Sequence, residues 1–241
     1  MLKIFSKAGK SRPRVDYSFL KTDMHSHLVP GIDDGSPDTE TSQLLIRGLA
    51  DLGFQKLITT PHVMWDMYRN DKPGISEKFS ALKAEGIQLS VAAEYFLDDH
   101  FTALLREGAG LLTLHENKVL VEFSLASPSL SLKEILFNLQ MQGYQPVIAH
   151  PERYLYVEQG KEFFDELKRI GCLFQLNILS LGSYYGRSVH ELAQYLIKKD
   201  YYELAGTDLH HVRHLEALRD PALIPPLKRL VDSGKVLNAN W

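Results

Sequence analysis

Seven short apolar runs punctuate the chain: Phe19–Met24, Gln55–Thr60, Ile87–Ala93, Lys118–Val121, Gln145–Ala149, Cys172–Leu176 and Tyr201–Gly206. Runs of this length, bounded by polar residues and glycine, read as buried strands. Between them, apolar residues recur three and four positions apart. Pro37–Gly53 carries Leu44, Leu45, Leu49 and Leu52 at that spacing, with Ser36 as the expected N-cap and Gly53 as the stop. Leu130–Gly143 has Leu132, Ile135, Leu136 and Leu139 on one face, and Lys161–Gly171 repeats the pattern with Phe163, Phe164, Leu167 and Ile170. Further helices are predicted over Ile75–Gly86, with Phe79 and Leu82 inward, Asp98–Glu107, Val189–Lys199, His211–Asp220 and Ile224–Gly234; Gly108–His115 is a short excursion. Strand and helix alternating in this way predict a parallel sheet, here an α/β barrel of about seven strands.

Composition narrows the picture further. With 241 residues, 44% apolar and 24% charged, the chain suffices for one large core. We expect one domain over residues 21–241, preceded at 1–20 by a basic arm carrying Lys3, Lys7, Lys10, Arg12 and Arg14 and lacking the apolar stretch of a secretory signal. The arm reads first as a solvated tail. A formal net charge of -3 gives no global attraction to nucleic acid. No apolar run reaches the roughly 20 residues of a membrane span, so no integral membrane segment is expected. Cys172 is the single cysteine, which excludes an internal disulfide and fits a reducing compartment. Its setting, Gly171-Cys-Leu-Phe-Gln175, has neither a phosphate-cradling loop nor a nearby arginine and excludes a cysteine-based phosphatase.

The chemistry-bearing residues lie at the ends of the apolar runs: His25 and His27 after the first, then His62, Glu94, Glu122, His150, Asn177, and finally Asp208 with His210. In α/β barrels that rim is where side chains from distant parts of the chain converge. In extended backbone, positions i and i+2 face the same way, so His25/His27 and Asp208/His210 each offer two donors to one ion. An isolated His-x-His is about as often a satisfied polar pair, and Asp33-Asp34-Gly35 reads equally as a turn. Given the other motifs, a carboxylate ligand is expected there, Asp34 ahead of Asp33. Prolines flank His62 and His150 on opposite sides and hold each imidazole at the rim. Glu94 and Glu122 end apolar strands, where a carboxylate needs a cation; arginine pairing is the alternative to a metal. Arg153 suits phosphate recognition, and a surface pair with Glu152 or another carboxylate is its blander reading. His100, His115, His190, His211 and His214 read as surface or helix residues.

His25-x-His27, Pro61-His62, Glu94, Glu122, His150-Pro151 and Asp208-x-His210 match in order the motifs of the polymerase and histidinol phosphatase (PHP) superfamily. His27-Leu-Val-Pro-Gly-Ile-Asp-Asp-Gly35 and His150-Pro-Glu-Arg153 further resemble the bacterial metal-dependent protein-tyrosine phosphatases encoded with capsule and exopolysaccharide genes. The resemblance, from about Lys21 onward, implies a distorted seven-stranded barrel. It also implies two or three divalent ions, manganese foremost with iron or zinc also compatible with the donors. One ion would use His25, His27, Glu94 and Asp208; Glu94 would bridge to a second at Glu122 and His150; a third would take Asp34, His62 and His210. The implied activity is phosphotyrosine hydrolysis, with the substrate a phosphorylated protein, a bacterial tyrosine kinase tail in a cytoplasmic setting at the inner face of the membrane. Arg153 would act as the catalytic phosphate contact, with Arg213 a second substrate contact; here the sequence departs from the pattern, because His211 follows Asp208-x-His210. Two other functions stay open: a small-molecule phosphatase such as histidinol-phosphatase, and a nucleic-acid-binding module, which the acidic balance disfavours.

Overall fold

A computed structural model describes residues 15–127, 129–157 and 161–241; the expected basic arm lies outside these, apart from its last residues. Its strands are β1 (Thr22–Asp23), β2 (Lys56–Thr59), β3 (His62–Val63), β4 (Gln88–Val91), β5 (Glu94–Phe96), β6 (Lys118–Glu122), β7 (Gln145–Ala149), β8 (Leu173–Asn177) and β9 (Tyr202–Gly206). All ladders between them are parallel, in the orders β1-β2-β4 and β3-β5-β6-β7-β8-β9.

The two sheets are one path interrupted twice. Only Thr60 and Pro61 separate β2 from β3, and Pro61 has no N–H to give the ladder. Ala92 and Ala93 break the neighbouring path between β4 and β5 at the same level. Across the break, Ala92 N–H donates to the Thr59 carbonyl (2.9 Å) and Glu94 N–H to the Pro61 carbonyl (3.1 Å). Nine segments therefore trace seven strand paths. The last returns to the first beyond β9, where Ser26 bridges Leu209, His27 N–H donates to the Leu209 carbonyl (2.9 Å) and Asp208 N–H to that of His25 (2.8 Å). The result is the α/β barrel expected from the sequence, distorted where the strands break.

The helices are α1 (Thr39–Asp51), α2 (Lys72–Ser80), α3 (Asp99–Arg106), α4 (Leu132–Met141), α5 (Glu162–Arg169), α6 (Arg187–Lys198), α7 (Val212–Ala217) and α8 (Ile224–Asp232). Two starts differ from expectation for local reasons. Asp38, rather than Ser36, caps α1 by accepting from Thr41 N–H at 2.7 Å, while Ser36 is buried and bonded to Ser42. The helix expected over Ile75–Gly86 begins at Lys72, capped by Asp71 with a proline in its first turn, and ends at Ser80. The first strand is also shorter than Phe19–Met24: Leu20 N–H turns back to the Tyr17 carbonyl. Tyr17 and Leu20 are fully buried, and the Tyr17 hydroxyl donates to the Leu218 carbonyl, so the packed body already includes Val15–Leu20.

The period of two along each strand sorts core from site. Met24, Ile58, Ala92, Leu120, Val147, Ala149 and Leu204 form an inner cluster, with Leu237 and Trp241 packed against it. Counting onward by two from Ile58, Ala92, Leu120 and Leu204 reaches His62, Glu94, Glu122 and Asp208. The face that fills the barrel lower down thus presents imidazole and carboxylate donors at its rim.

Helix α1 meets α7 at Gly48, where an added Cβ would lie 2.2 Å from Leu215 Cδ2. Gly48→Ala has up to about 1 kcal/mol of helix propensity in its favour, but overpacking against the buried Leu215 costs about 1–3 kcal/mol. We expect net destabilisation, read as a lower urea midpoint; a raised midpoint would show that α7 yields.

Candidate metal centre

Glu94, fully buried at the start of β5, is the hub. Its Oε2 lies 3.1 Å from His25 Nε2 and 3.4 Å from His27 Nε2; Asp208 Oδ1 is 3.3 and 3.5 Å from the same two nitrogens, which are 3.1 Å apart. Donors about 2.1 Å from one ion lie about 3.0 to 3.4 Å apart. His25, His27 and Glu94 have that spacing, and Asp208 Oδ1 faces the same two histidines from a slightly longer range. On the other side Glu94 Oε1 lies 3.2 Å from His150 Nε2, and Glu122 approaches His150 Nε2 to 3.9 Å. A third group joins Asp34 Oδ1 to His62 Nε2 and His210 Nε2, each at 3.5 Å. The His62 ring spans two groups, because its Nδ1 is 2.9 Å from Glu122 Oε1 and 3.2 Å from Glu94 Oε2.

Hydrogen bonding in the chain leaves part of this cluster unsatisfied. His62 Nδ1, Glu94 Oε1 and Glu122 Oε1 are buried without an aligned hydrogen-bond partner. Such atoms are costly to bury unless something further binds them, and all three point into the second group. The donor set fits divalent ions: mixed imidazole and carboxylate, no thiolate, and separations set by one shared centre.

Second contacts fix the ring orientations. Asp33 Oδ2 accepts from His27 Nδ1 (2.9 Å), and its carboxylate also takes the backbone N–H groups of Gly35 and His62. Asp33 therefore orients His27, leaving Asp34 to face the third group. His25 Nδ1 meets Gln175 Oε1 at 2.8 Å, and His210 Nδ1 meets the Asp208 carbonyl at 2.9 Å. Backbone conformation matters as well: His150 (φ 33°) and Asp208 (φ 51°) are left-handed without being glycine, a strained state found at functional positions.

Arg153 Nη1 donates to Asp208 Oδ2 at 3.0 Å, and the guanidinium lies 4.9 Å over the Tyr185 ring. The carboxylate partner expected as the alternative for Arg153 is Asp208 and not Glu152, which is fully buried and turned away, accepting from Asn177 N–H and the Tyr202 hydroxyl. Burial raises its carboxyl above the ordinary range, which those hydrogen bonds only partly offset. His214, expected as a surface or helix residue, lies on α7 but is buried, receives the His210 N–H at its Nδ1, and is pushed down to about 4 by burial and then by His211. It is therefore a neutral prop for the His210 loop. Arg213 stands exposed on α7, outside the cavity lining.

A cavity of about 350 Å³ opens over the donors, lined by Asp34, His62, Glu122, His150, Asp208 and His210 below and by Met64, Met67, Tyr68, Leu125, Arg153, Tyr185, His211 and His214 around them. Tyr68 stacks on His62 with ring centres 5.6 Å apart. A larger cavity of about 610 Å³, between Leu179–Tyr184 and Glu216–Leu223, contains none of these donors.

The profile of the family described as capsular polysaccharide synthesis, CpsB/CapC, matches residues 21–229. The chain belongs to the CpsB/CapC family. Tyrosine-protein phosphatase CpsB of Streptococcus pneumoniae is 28% identical over 203 residues, covering 79% of this chain and 83% of that protein. Tyrosine-protein phosphatase YwqE of Bacillus subtilis is 26% identical over 198 residues, covering 79% and 78%. In three dimensions the chain superposes with a TM-score of 0.76 and 22% identity on a crystal structure from work on B. subtilis YwqE and S. pneumoniae CpsB, described as unique metal-dependent tyrosine phosphatases, over 91% of this chain and 94% of that one. An amidohydrolase from Mycoplasma synoviae shares the fold more loosely, with a TM-score of 0.53 at 14% identity over 92% of this chain and 87% of that one. The CpsB/CapC fold thus extends across the whole rim on which the donors sit.

Without ions, protons must balance the buried carboxylates. Burial lowers the pKa of His62, but Glu94 and Glu122 outweigh it and hold it at about 9. His27 is likewise held well above its ordinary value, against burial, by Asp33, Asp208 and Glu94. The stability that protonated His62 adds is fully present below the ordinary histidine value and lost as pH rises through about 9. Ion binding needs neutral imidazole, so it strengthens across the same window. The rise in melting temperature caused by manganese is therefore expected to be larger at pH 8.5 than at pH 6.5; equal rises would refute this protonation pattern.

Proposed function

We propose that this chain is a metal-dependent protein-tyrosine phosphatase that hydrolyses phosphotyrosine on a bacterial tyrosine kinase serving capsule or exopolysaccharide synthesis. The observation that carries the reading is the convergence of imidazole and carboxylate donors around Glu94, with one guanidinium, Arg153, below an open mouth edged by Met67 and Leu125, which are 66% and 46% exposed. Exposed apolar residues beside a polar floor suit a macromolecular substrate better than a small phosphate ester, which favours an enclosing pocket.

His25, His27, Glu94 and Asp208 would hold one ion, Glu94, Glu122 and His150 a second, and Asp34, His62 and His210 a third; manganese heads the candidates. Divalent ions bound by such donors supply Lewis-acid polarisation of phosphoryl oxygens and a water acidic enough to act as nucleophile at neutral pH. The protein's share is placement and charge. Arg153 brings the one guanidinium of the cavity lining, suited to two phosphate oxygens at once. Tyr68 and Tyr185 offer aromatic faces on which a phenyl ring can rest. Phenolate, with a pKa near 10, leaves with little acid assistance, and no residue is required as a covalent nucleophile. Among the described residues no helix is long and apolar enough to cross a membrane, and a cytoplasmic location beside a membrane kinase accords with the reading.

The test is turnover of a phosphotyrosine peptide, a phosphoserine peptide and histidinol phosphate, with manganese and with chelator. Manganese-dependent preference for phosphotyrosine is expected, lost at least about 100-fold in His25→Ala. Faster turnover of histidinol phosphate would move the chain to the small-molecule class. Arg153→Met is expected to raise KM about 10- to 100-fold, as loss of charge-assisted hydrogen bonds requires; an unchanged KM would remove Arg153 from phosphate binding.

A further inference from the structure

Asp208 has two oxygens with different surroundings. Oδ1 faces His25, His27 and His210 at 3.3 to 3.5 Å. Oδ2 faces away and accepts two hydrogen bonds, from Arg153 Nη1 (3.0 Å) and from Asn177 Nδ2 (2.9 Å). The two donors differ in kind. The Arg153 side chain is a quarter exposed and lines the cavity. Asn177, at the end of β8, is fully buried and outside the cavity lining.

Asn177 is held from every side. Its Nδ2 also reaches the Tyr185 hydroxyl (3.2 Å), its Oδ1 accepts from Leu179 N–H (2.9 Å), and its own N–H donates to Glu152 Oε1 (2.9 Å). Glu152 is in turn tied to the Tyr202 hydroxyl at 2.8 Å. A buried amide with all its groups engaged keeps its orientation. Tyr185 joins the two donors of Asp208, since its hydroxyl meets Asn177 and its ring lies under the Arg153 guanidinium.

Resting on the phosphatase reading, we propose that Asn177 is a positioning residue that fixes Asp208 with Oδ1 toward the first donor group, leaving Arg153 free to exchange Asp208 for a phosphate oxygen. If Arg153 alone held Oδ2, binding phosphate would release the ligand on which the first group depends. Asn177 removes that conflict. Sequence inspection places Asn177 at the rim but supplies no donor role, because an amide is not a metal ligand of the usual kind here.

The test compares Asn177→Ser and Arg153→Met with the natural chain, using manganese binding by calorimetry and phosphotyrosine-peptide kinetics. Serine can still cap Leu179 N–H and leaves the backbone bond to Glu152, but cannot reach Asp208. N177S is expected to keep its circular-dichroism spectrum and weaken manganese affinity about 10- to 100-fold. R153M is expected to raise KM while holding manganese affinity within about threefold, because Asn177 remains. Wild-type manganese affinity in folded N177S would overturn the proposal, as would an equal loss of affinity in R153M. Should N177S not fold, Asn177→Leu serves with the same expectations. If the natural chain shows this pattern of ion affinities but hydrolyses no phosphotyrosine, the phosphatase reading fails and the positioning role stands.

Discussion

A carboxylate with no exposure, Glu94, sets the terms for the rest of the rim. Removing a charge from water costs several kcal/mol even after relaxation, and burial would normally drive its proton affinity up. Instead His25, His62 and their neighbours hold it well below the usual carboxylate range. Asp208 obeys the same balance, with His25 and His210 overcoming the effect of burial. Around these two stand Asp33, Asp34 and Glu122, while Arg153 is the single arginine or lysine among the cavity-lining residues. Such an assembly is stable only with further positive charge, as imidazolium or as metal ions. The ladder breaks at Pro61 and at Ala92–Ala93 lie beside this cluster, where β3 and β5 bring His62 and Glu94 into register.

The same demand explains where the backbone is tight. A Cβ on Gly206 would lie 2.7 Å from His25 Cβ, and one on Gly35 would lie 2.4 Å from both the Cβ and the carbonyl oxygen of His27. Both histidines can sit close to neighbouring chain only because those positions lack side chains. At His150 and Asp208 the rule is reversed: residues with side chains adopt a conformation that glycine would take without strain. Glycine would serve the turn but bring no donor. Strain is tolerated at these two donors because the pairings around them hold the alternative conformations at higher energy.

Much of this was legible in the sequence because a parallel barrel ties two patterns together. The period of two that buries Ile58 and Leu120 also carries His62 and Glu122 to the rim, so strand ends could be read as site positions. Gln145–Ala149 appears with the expected bounds. What escaped depends on contacts across the chain. Asp34 is expected to face the site, as it does toward His62 and His210, but only the fold shows its neighbour Asp33 bonded to His27 Nδ1. Glu152 beside Arg153 reads as its partner, yet on the short helical turn after His150 the two side chains diverge. His214 reads as a surface or helix residue, and nothing local reveals that α7 turns it under His210. At α2, a weak apolar pattern led to a late start, whereas Asp71 and Pro73 carried the true signal.

Under the phosphatase reading, charge and reach divide the selection of substrate between them. The donors and Arg153 recognise a phosphoryl group whatever carries it, and so cannot by themselves distinguish one phosphoamino acid from another. Depth can. His25 and Glu94 have no exposure, whereas Met67 and Leu125 stand out at the mouth. A peptide backbone resting on that edge delivers a phosphoryl group to the floor more readily on a phenyl ring than on the single methylene of serine. Tyr68 over His62 and Tyr185 under Arg153 place aromatic faces along the way down. On the same reading Arg153, inside the cavity lining, is the guanidinium placed to meet phosphate, while Arg213 stands outside that lining, and the aromatic contacts supply the discrimination that charge lacks.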